Sequence, residues 1–126
     1  MSPVTETPET LLSYPTVQRW LVSLQHHRRL APQELQDSLQ SVAAFCTYVG
    51  QSPEAIISQC LRDMGAGKGI DSRSRRYYMA QIEAFQRQSA AERRQQVAHG
   101  RAVRGFLIHN GVMLQVAWQY RGRGST

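Results

Sequence analysis

Arginine carries most of the chemistry this chain offers. Fourteen of its fifteen basic residues are Arg, and the exception is Lys68. A guanidinium stays charged and presents a planar fork of donors that matches phosphate oxygens and guanine edges better than an ammonium does. The charge is unevenly placed. Residues 1–67 hold four Arg against six Asp/Glu, a net of −2, whereas residues 68–126 hold eleven Lys/Arg against three Asp/Glu, a net of +8. A half-molecule this basic suits a polyanion, most simply nucleic acid. A G+C-rich coding sequence would also favour arginine, but it would favour it in both halves alike.

Three groups of residues are candidates for that contact. With Val103 at the centre of the buried side of a helix and roughly 100° per residue, Arg94 and Arg101 point away from the core. Small Ala98 and Gly105 lie between and beyond them, and Arg93 and Arg104 flank them on one shoulder. Gln33, Gln36 and Gln40 occupy the matching outward face of an earlier helix, with Asp37 among them. Glutamine pairs with an adenine edge in the major groove, although it is also abundant along this whole chain. Arg73, Arg75 and Arg76 open a further helix, where the dipole favours anions. Cations placed there call for negative charge from outside, and Lys68 in the preceding loop joins them. The plain alternative for each group is a solvated helix face, since exposed faces are commonly charged.

Other chemistries find little support. His26, His27, His99 and His109 show no ligand spacing with Asp, Glu or Cys on one face, so no metal site is expected. Cys46 and Cys60 fall on apolar helix faces and read as reduced core residues of a cytoplasmic protein. Gly65-Ala-Gly67-Lys68-Gly69 lacks the wider glycine spacing and the Ser/Thr of a phosphate loop, which leaves a flexible connection. No paired carboxylates or nucleophile–base pair can be placed together. The expectation is a non-enzymatic chain with no cofactor and no small-molecule substrate. No apolar run approaches the ~20 residues that span a bilayer, and MSPVTETPET lacks the pattern of a secretory leader.

The elements that must position these residues are helical. Pro3, Pro8 and several Thr suggest a flexible arm over residues 1–13. A first helix starts near Pro15-Thr16 and buries Val17, Trp20, Leu21 and Leu24, fading at His26-His27-Arg28-Arg29. A second runs from Pro32 to Val49 before Gly50, burying Leu35, Leu39, Val42, Phe45, Cys46 and Val49. A third has Ser52 as cap and Pro53 at its first position, burying Ile56, Ile57, Cys60, Leu61 and Met64 before Gly65. A fourth begins near Asp71-Ser72 and buries Tyr78, Ile82 and Phe85. A fifth spans about Ala91 to Asn110 with Val103, Phe106, Leu107 and Asn110 on one side. Tail residues 112–118 are apolar, fitting either a last helix or a strand, and then turn basic at Arg121 and Arg123. Val42, Phe45 and Gly50 recur sixty-one residues later as Val103, Phe106 and Gly111, and Val17, Leu21 and Leu24 fall opposite Tyr78, Ile82 and Phe85. Two helical hairpins in one register, joined by a further helix, are expected, giving an all-α compact bundle of four to five helices.

Over about residues 14–114 the chain resembles the N-terminal core-binding (SAM-like) domain of tyrosine recombinases, the phage-integrase family. The resemblance rests on Val17-Gln-Arg-Trp20-Leu-Val-Ser-Leu24, on Leu30-Ala-Pro32-Gln-Glu-Leu35, and on Leu39-Gln-Ser-Val42-Ala-Ala-Phe45. It is completed by Arg101-Ala-Val103-Arg-Gly-Phe106-Leu-Ile-His-Asn110-Gly111. It departs from the family at Ala90-Ala91-Glu92, where a small hydroxyl residue is usual. The resemblance implies a bundle lying on one side of double-stranded DNA, with a separate catalytic domain closing a clamp from the other side. Residues 115–126 would then be a tail or the start of the interdomain linker. His26-His-Arg-Arg29 imitates the family's catalytic His-x-x-Arg string, but between the wrong helices and with no catalytic Tyr segment after it. The implied partners are duplex DNA and other recombinase protomers, with no membrane. The implied setting is a prokaryotic cytoplasm, on the nucleoid when DNA is bound. A rival reading is a protein–protein or oligomerisation module that uses the apolar tail. The nucleic-acid reading requires the later arginines to form one accessible patch, unpaired with internal carboxylates.

Overall fold

Prolines and short polar caps divide the described residues into six helices and one small hairpin. The computed structural model describes residues 5–27, 29–63 and 67–113, with the side chains of Asp63 and Lys68 excepted. Helix α1 is Pro8–Leu11, α2 Pro15–His27, α3 Pro32–Val49, α4 Pro53–Cys60, α5 Ser72–Ser89 and α6 Arg93–His109. Strands β1 (Leu61–Asp63) and β2 (Lys68–Ile70) separate α4 from α5. The architecture is an all-α bundle, with six helices where four to five are expected.

Each helix start has a local cause. Pro8, Pro15, Pro32 and Pro53 are the first residues of their helices, where a missing N–H costs nothing. The Ser52 hydroxyl accepts from the Ala55 N–H at 3.1 Å, and the Asp71 carboxylate accepts from the N–H groups of Arg73 and Ser74 at 3.0 and 3.3 Å. Helix α3 stops at Gly50, whose φ of 72° is left-handed and free of strain only for glycine.

Two sequence expectations change. Within the expected arm, Pro8–Leu11 forms a capped turn, because Thr7 accepts from the Thr10 N–H at 3.2 Å and Leu11 is fully buried. The third helix ends at Cys60 rather than running on to Met64. Leu61 turns extended, at φ −112° and ψ 124°, and pairs with Ile70, while Arg62 pairs with Gly69. Asp71 closes the hairpin base by donating its N–H to the Cys60 carbonyl at 2.7 Å. Leu61 alternates with Arg62 across a short strand, and the neighbouring glycines disfavour helix. Met64 lies outside the described residues, as do Gly65 and Ala66 of the flexible connection expected at 65–69, whereas Lys68 and Gly69 of that connection belong to β2.

One core holds the bundle. Trp20, Val42, Phe45, Ile56, Tyr78, Ile82, Val103 and Phe106 are buried in it, closed by Leu11 at one end of the chain and Val112 at the other. Both cysteines are free and buried. Burial pushes the Cys60 thiol up to about 11 and the Cys46 thiol higher still, which suits inert packing residues. The two expected hairpins differ. Helices α5 and α6 pack closely along their length, joined by residues 90–92. Helices α2 and α3 scarcely touch, and both lean on α6 instead. The cause lies in α6, whose Phe106 meets Trp20 edge-to-face at 5.7 Å and whose Asn110 is tied to α2.

Candidate nucleic-acid interface

The α5–α6 hairpin fixes where the arginines stand. Arg75 Nη1 donates to the Met113 carbonyl at 3.2 Å, placing the start of α5 beside the end of α6. Gln96 Nε2 donates to the carbonyls of Arg87 and Ala90, placing the end of α5 beside the start of α6. Arg73, Arg75 and Arg76 therefore sit at one end of the hairpin and Arg93 and Arg94 at the other. At 1.5 Å per residue the two ends are about 25 Å apart. Arg101 and Arg104 lie between them. Arg73, Arg76, Arg93, Arg94 and Arg101 are exposed, whereas Arg75 and Arg104 are half-buried. The arginines are thus spread along the length of the hairpin rather than gathered into the one patch that the nucleic-acid reading calls for.

This line is not neutralised from within. Among the described residues only Arg62 and Asp71 form an ion pair within 4.0 Å, at 3.6 Å, with Arg62 well exposed. Residues 72–113 hold eight Arg against Glu83 and Glu92, so the hairpin and its exit carry +6.

A groove of about 1010 Å³ runs between α3 and α6, with α2 at its floor. Its walls repeat the sequence register residue for residue. Glu34, Asp37, Ser38, Gln40, Ser41 and Ala44 of α3 line one wall. Gln95, Ala98, His99, Arg101, Ala102 and Gly105 of α6, each sixty-one positions later, line the other. Leu24 and Phe85 are a seventh such pair. Gln40 and Arg101 from the sequence set are therefore equivalents in one groove. Gln33 and Gln36 are exposed on α3 but are not among the groove's lining, and Gln33 donates to Asp37 at 2.9 Å. Lys68 lies on β2 and its side chain is outside the described residues.

Sequence reasoning missed two arginines, and it placed Asn110 on the inward side of its helix without foreseeing its polar partners. Arg87 is exposed three turns after Arg76, a spacing that signals one helix face. Arg62 was hidden by the expected extension of the third helix. Asn110 is buried, donating to the carbonyls of Thr16 at 3.0 Å and Phe106 at 2.9 Å while its Oδ1 accepts from Arg19 at 2.8 Å. His109 contacts the Ser23 hydroxyl and stacks edge-on to His27 at 5.7 Å. Burial, and then the nearby His27, hold its pKa below the ordinary imidazole value. Among the described residues no group of three or more His, Cys, Asp or Glu is arranged to hold a metal ion, and no helix is long and apolar enough to cross a membrane.

No protein-family model matches the chain, and no match was found among curated proteins or solved structures.

Proposed function

We propose that the chain is a DNA-binding module of the core-binding type found in tyrosine recombinases. It positions a recombinase protomer on duplex DNA while strand cleavage happens elsewhere. The observation that carries this reading is the series of arginines along α5 and α6, largely exposed and without carboxylate partners among the described residues. Spread over about 25 Å, it would track roughly seven base pairs at 3.4 Å each. Ala98 and Gly105 let the axis of α6 approach a phosphate backbone closely, and Gln40 across the groove would supply a secondary contact to a base edge. The role is positional: phosphate contacts set register and orientation, and few base contacts accompany them. Alone the module offers a single face, so its affinity is weak and strongly salt-dependent.

Fluorescence anisotropy on a labelled duplex at rising salt tests this. Each phosphate contact contributes roughly 0.9 to the log–log salt slope, so Arg94→Ala with Arg101→Ala should lower the slope by about 1.8. A chain that fails to bind duplex at low salt, or binds it with no dependence on salt, overturns the reading.

A further inference from the structure

We propose that His27 and His109 together bind one divalent transition-metal ion of the zinc class, joining the ends of α2 and α6. His27 is the last residue of α2 and His109 the last of α6. Their rings meet edge-to-face with centroids 5.7 Å apart. An imidazole nitrogen stands about 2.0–2.1 Å from such an ion, which puts the ring centroid about 3.2 Å from it. Two rings sharing one ion are then about 5 Å apart at a tetrahedral angle and about 6 Å at a wider one. The observed spacing falls between the two.

Ser23 orients both rings. His27 Nδ1 lies 2.8 Å from the Ser23 carbonyl oxygen. A carbonyl only accepts, so this nitrogen carries the proton and the lone pair is left on Nε2. His109 Nδ1 meets the hydroxyl of the same serine. A hydroxyl can accept, so the same tautomer suits His109. Neither Nε2 has a hydrogen-bond partner among the described residues. Imidazoles that bind metals are commonly held in this way, one nitrogen tied to an oxygen and the other facing the ion.

The surroundings agree with a cation. Two helices present their C-terminal ends here, where the dipole is negative. Burial keeps His109 from taking up a proton easily, so its ring stays neutral near pH 7 with a lone pair to give. His27 is exposed, which leaves the ion a way in. Imidazole donors select zinc, copper and nickel over magnesium and calcium. No third His, Cys, Asp or Glu joins the pair among the described residues, so water fills the other positions of the ion. His26 is the neighbour to exclude. Its ring lies 6.3 Å from that of His27, but it is turned about 100° around α2 from it. The site owes nothing to the nucleic-acid reading and is tested without DNA.

The experiment titrates zinc chloride into the full chain, free of any affinity tag, by calorimetry at about pH 7.5, where imidazole is neutral. Binding should saturate at one ion per chain, and magnesium chloride should give no heat of binding. Losing an orienting partner of a metal ligand costs about tenfold in affinity or more, and losing the ligand itself costs no less. His27→Gln and His109→Gln should therefore each weaken zinc binding by about tenfold or more, and His26→Gln by less than about twofold. His27 is exposed, so its replacement leaves the fold intact even if that of His109 does not. Long-range proton–nitrogen spectra of the imidazoles should show zinc shifting Nε2 of His27 and His109 at one common saturation point. The proposal fails if zinc does not bind up to about 1 mM, or if His27→Gln binds it as tightly as the native chain. It fails equally if His26→Gln abolishes binding, if magnesium binds as well as zinc, or if only one of the two rings responds.

Discussion

At Gly100 the Gln86 side chain of α5 lies directly against the backbone of α6. A Cβ there would stand 2.1 Å from Gln86 Oε1 and 2.7 Å from Arg104 Nη1. The Gln86 oxygen is buried without a hydrogen-bond partner, so one side chain both blocks the helix-favouring alanine and carries a desolvation cost. Gly100→Ala should thus behave differently in two backgrounds. In the native chain the ends of the flexible Gln86 and Arg104 side chains must shift, which offsets much of the helix-propensity gain; after Gln86→Ala that gain should approach about 1 kcal/mol. Urea denaturation of the four chains of that cycle reads the difference, and additivity would contradict the contact. Asn110 is the opposite case, a buried amide with three partners on two helices. Asn110→Ala should cost about 2 kcal/mol or more, because two carbonyls and the Arg19 guanidinium lose a partner together. His109 gives the fold a pH dependence. Its folded pKa lies below the unfolded value, so below about pH 6.5 the unfolded chain takes up the proton first. Stability contributed at this site is complete above that pH and declines as pH falls toward the folded pKa. His109→Gln should flatten the urea midpoint between pH 7 and 5.

At the scale of elements, Asp71 has two roles. It caps α5 and pairs with Arg62 across the hairpin base. Asp71→Ala should lower stability by about 1 kcal/mol in thermal melts. Under the nucleic-acid reading it should also tighten duplex binding, since a carboxylate is removed from among Arg62, Arg73 and Arg75. Helix positions were legible because proline and hydroxyl caps are local signals, and the apolar stripes of the second, fourth and fifth expected helices match buried residues of α3, α5 and α6, save Leu35 and Val49, which are half-buried. The end of α4 was not legible. Ile56, Ile57, Cys60 and Leu61 keep helical spacing, and nothing local reveals that Leu61 will find Ile70 across a turn. The splaying of α2 from α3 was also hidden. Equal spacing in sequence predicts equal faces, but not which helix each face will meet, and Trp20 meets Phe106 rather than α3.

Across the whole molecule the sixty-one-residue register reaches further than the core residues that reveal it. It also pairs the walls of the groove, because a shared helical period fixes every face once one is fixed. That is why Gln40 and Arg101 line the same groove although each is a candidate for a separate reason. The distribution of charge was legible only as a total. Composition places +8 in the later half, but the antiparallel turn at 90–92 decides that Arg73, Arg75 and Arg76 stand far from Arg93 and Arg94. If this line tracks DNA, Arg76→Ala and Arg93→Ala should each reduce the salt slope by about 0.9 and do so additively, since they lie too far apart to share a phosphate.

Leu11 and Val112 are both fully buried in one core although they lie near opposite limits of the described chain. Helix α2 likewise finds its main support in α6, the last helix among the described residues. A nascent polypeptide emerging from the ribosome would hold α1 to α5 with their apolar faces uncovered until α6 and Val112 were synthesised. Chains arrested before that point should stay open to protease, and resistance should appear in one step once Val112 is free of the exit tunnel.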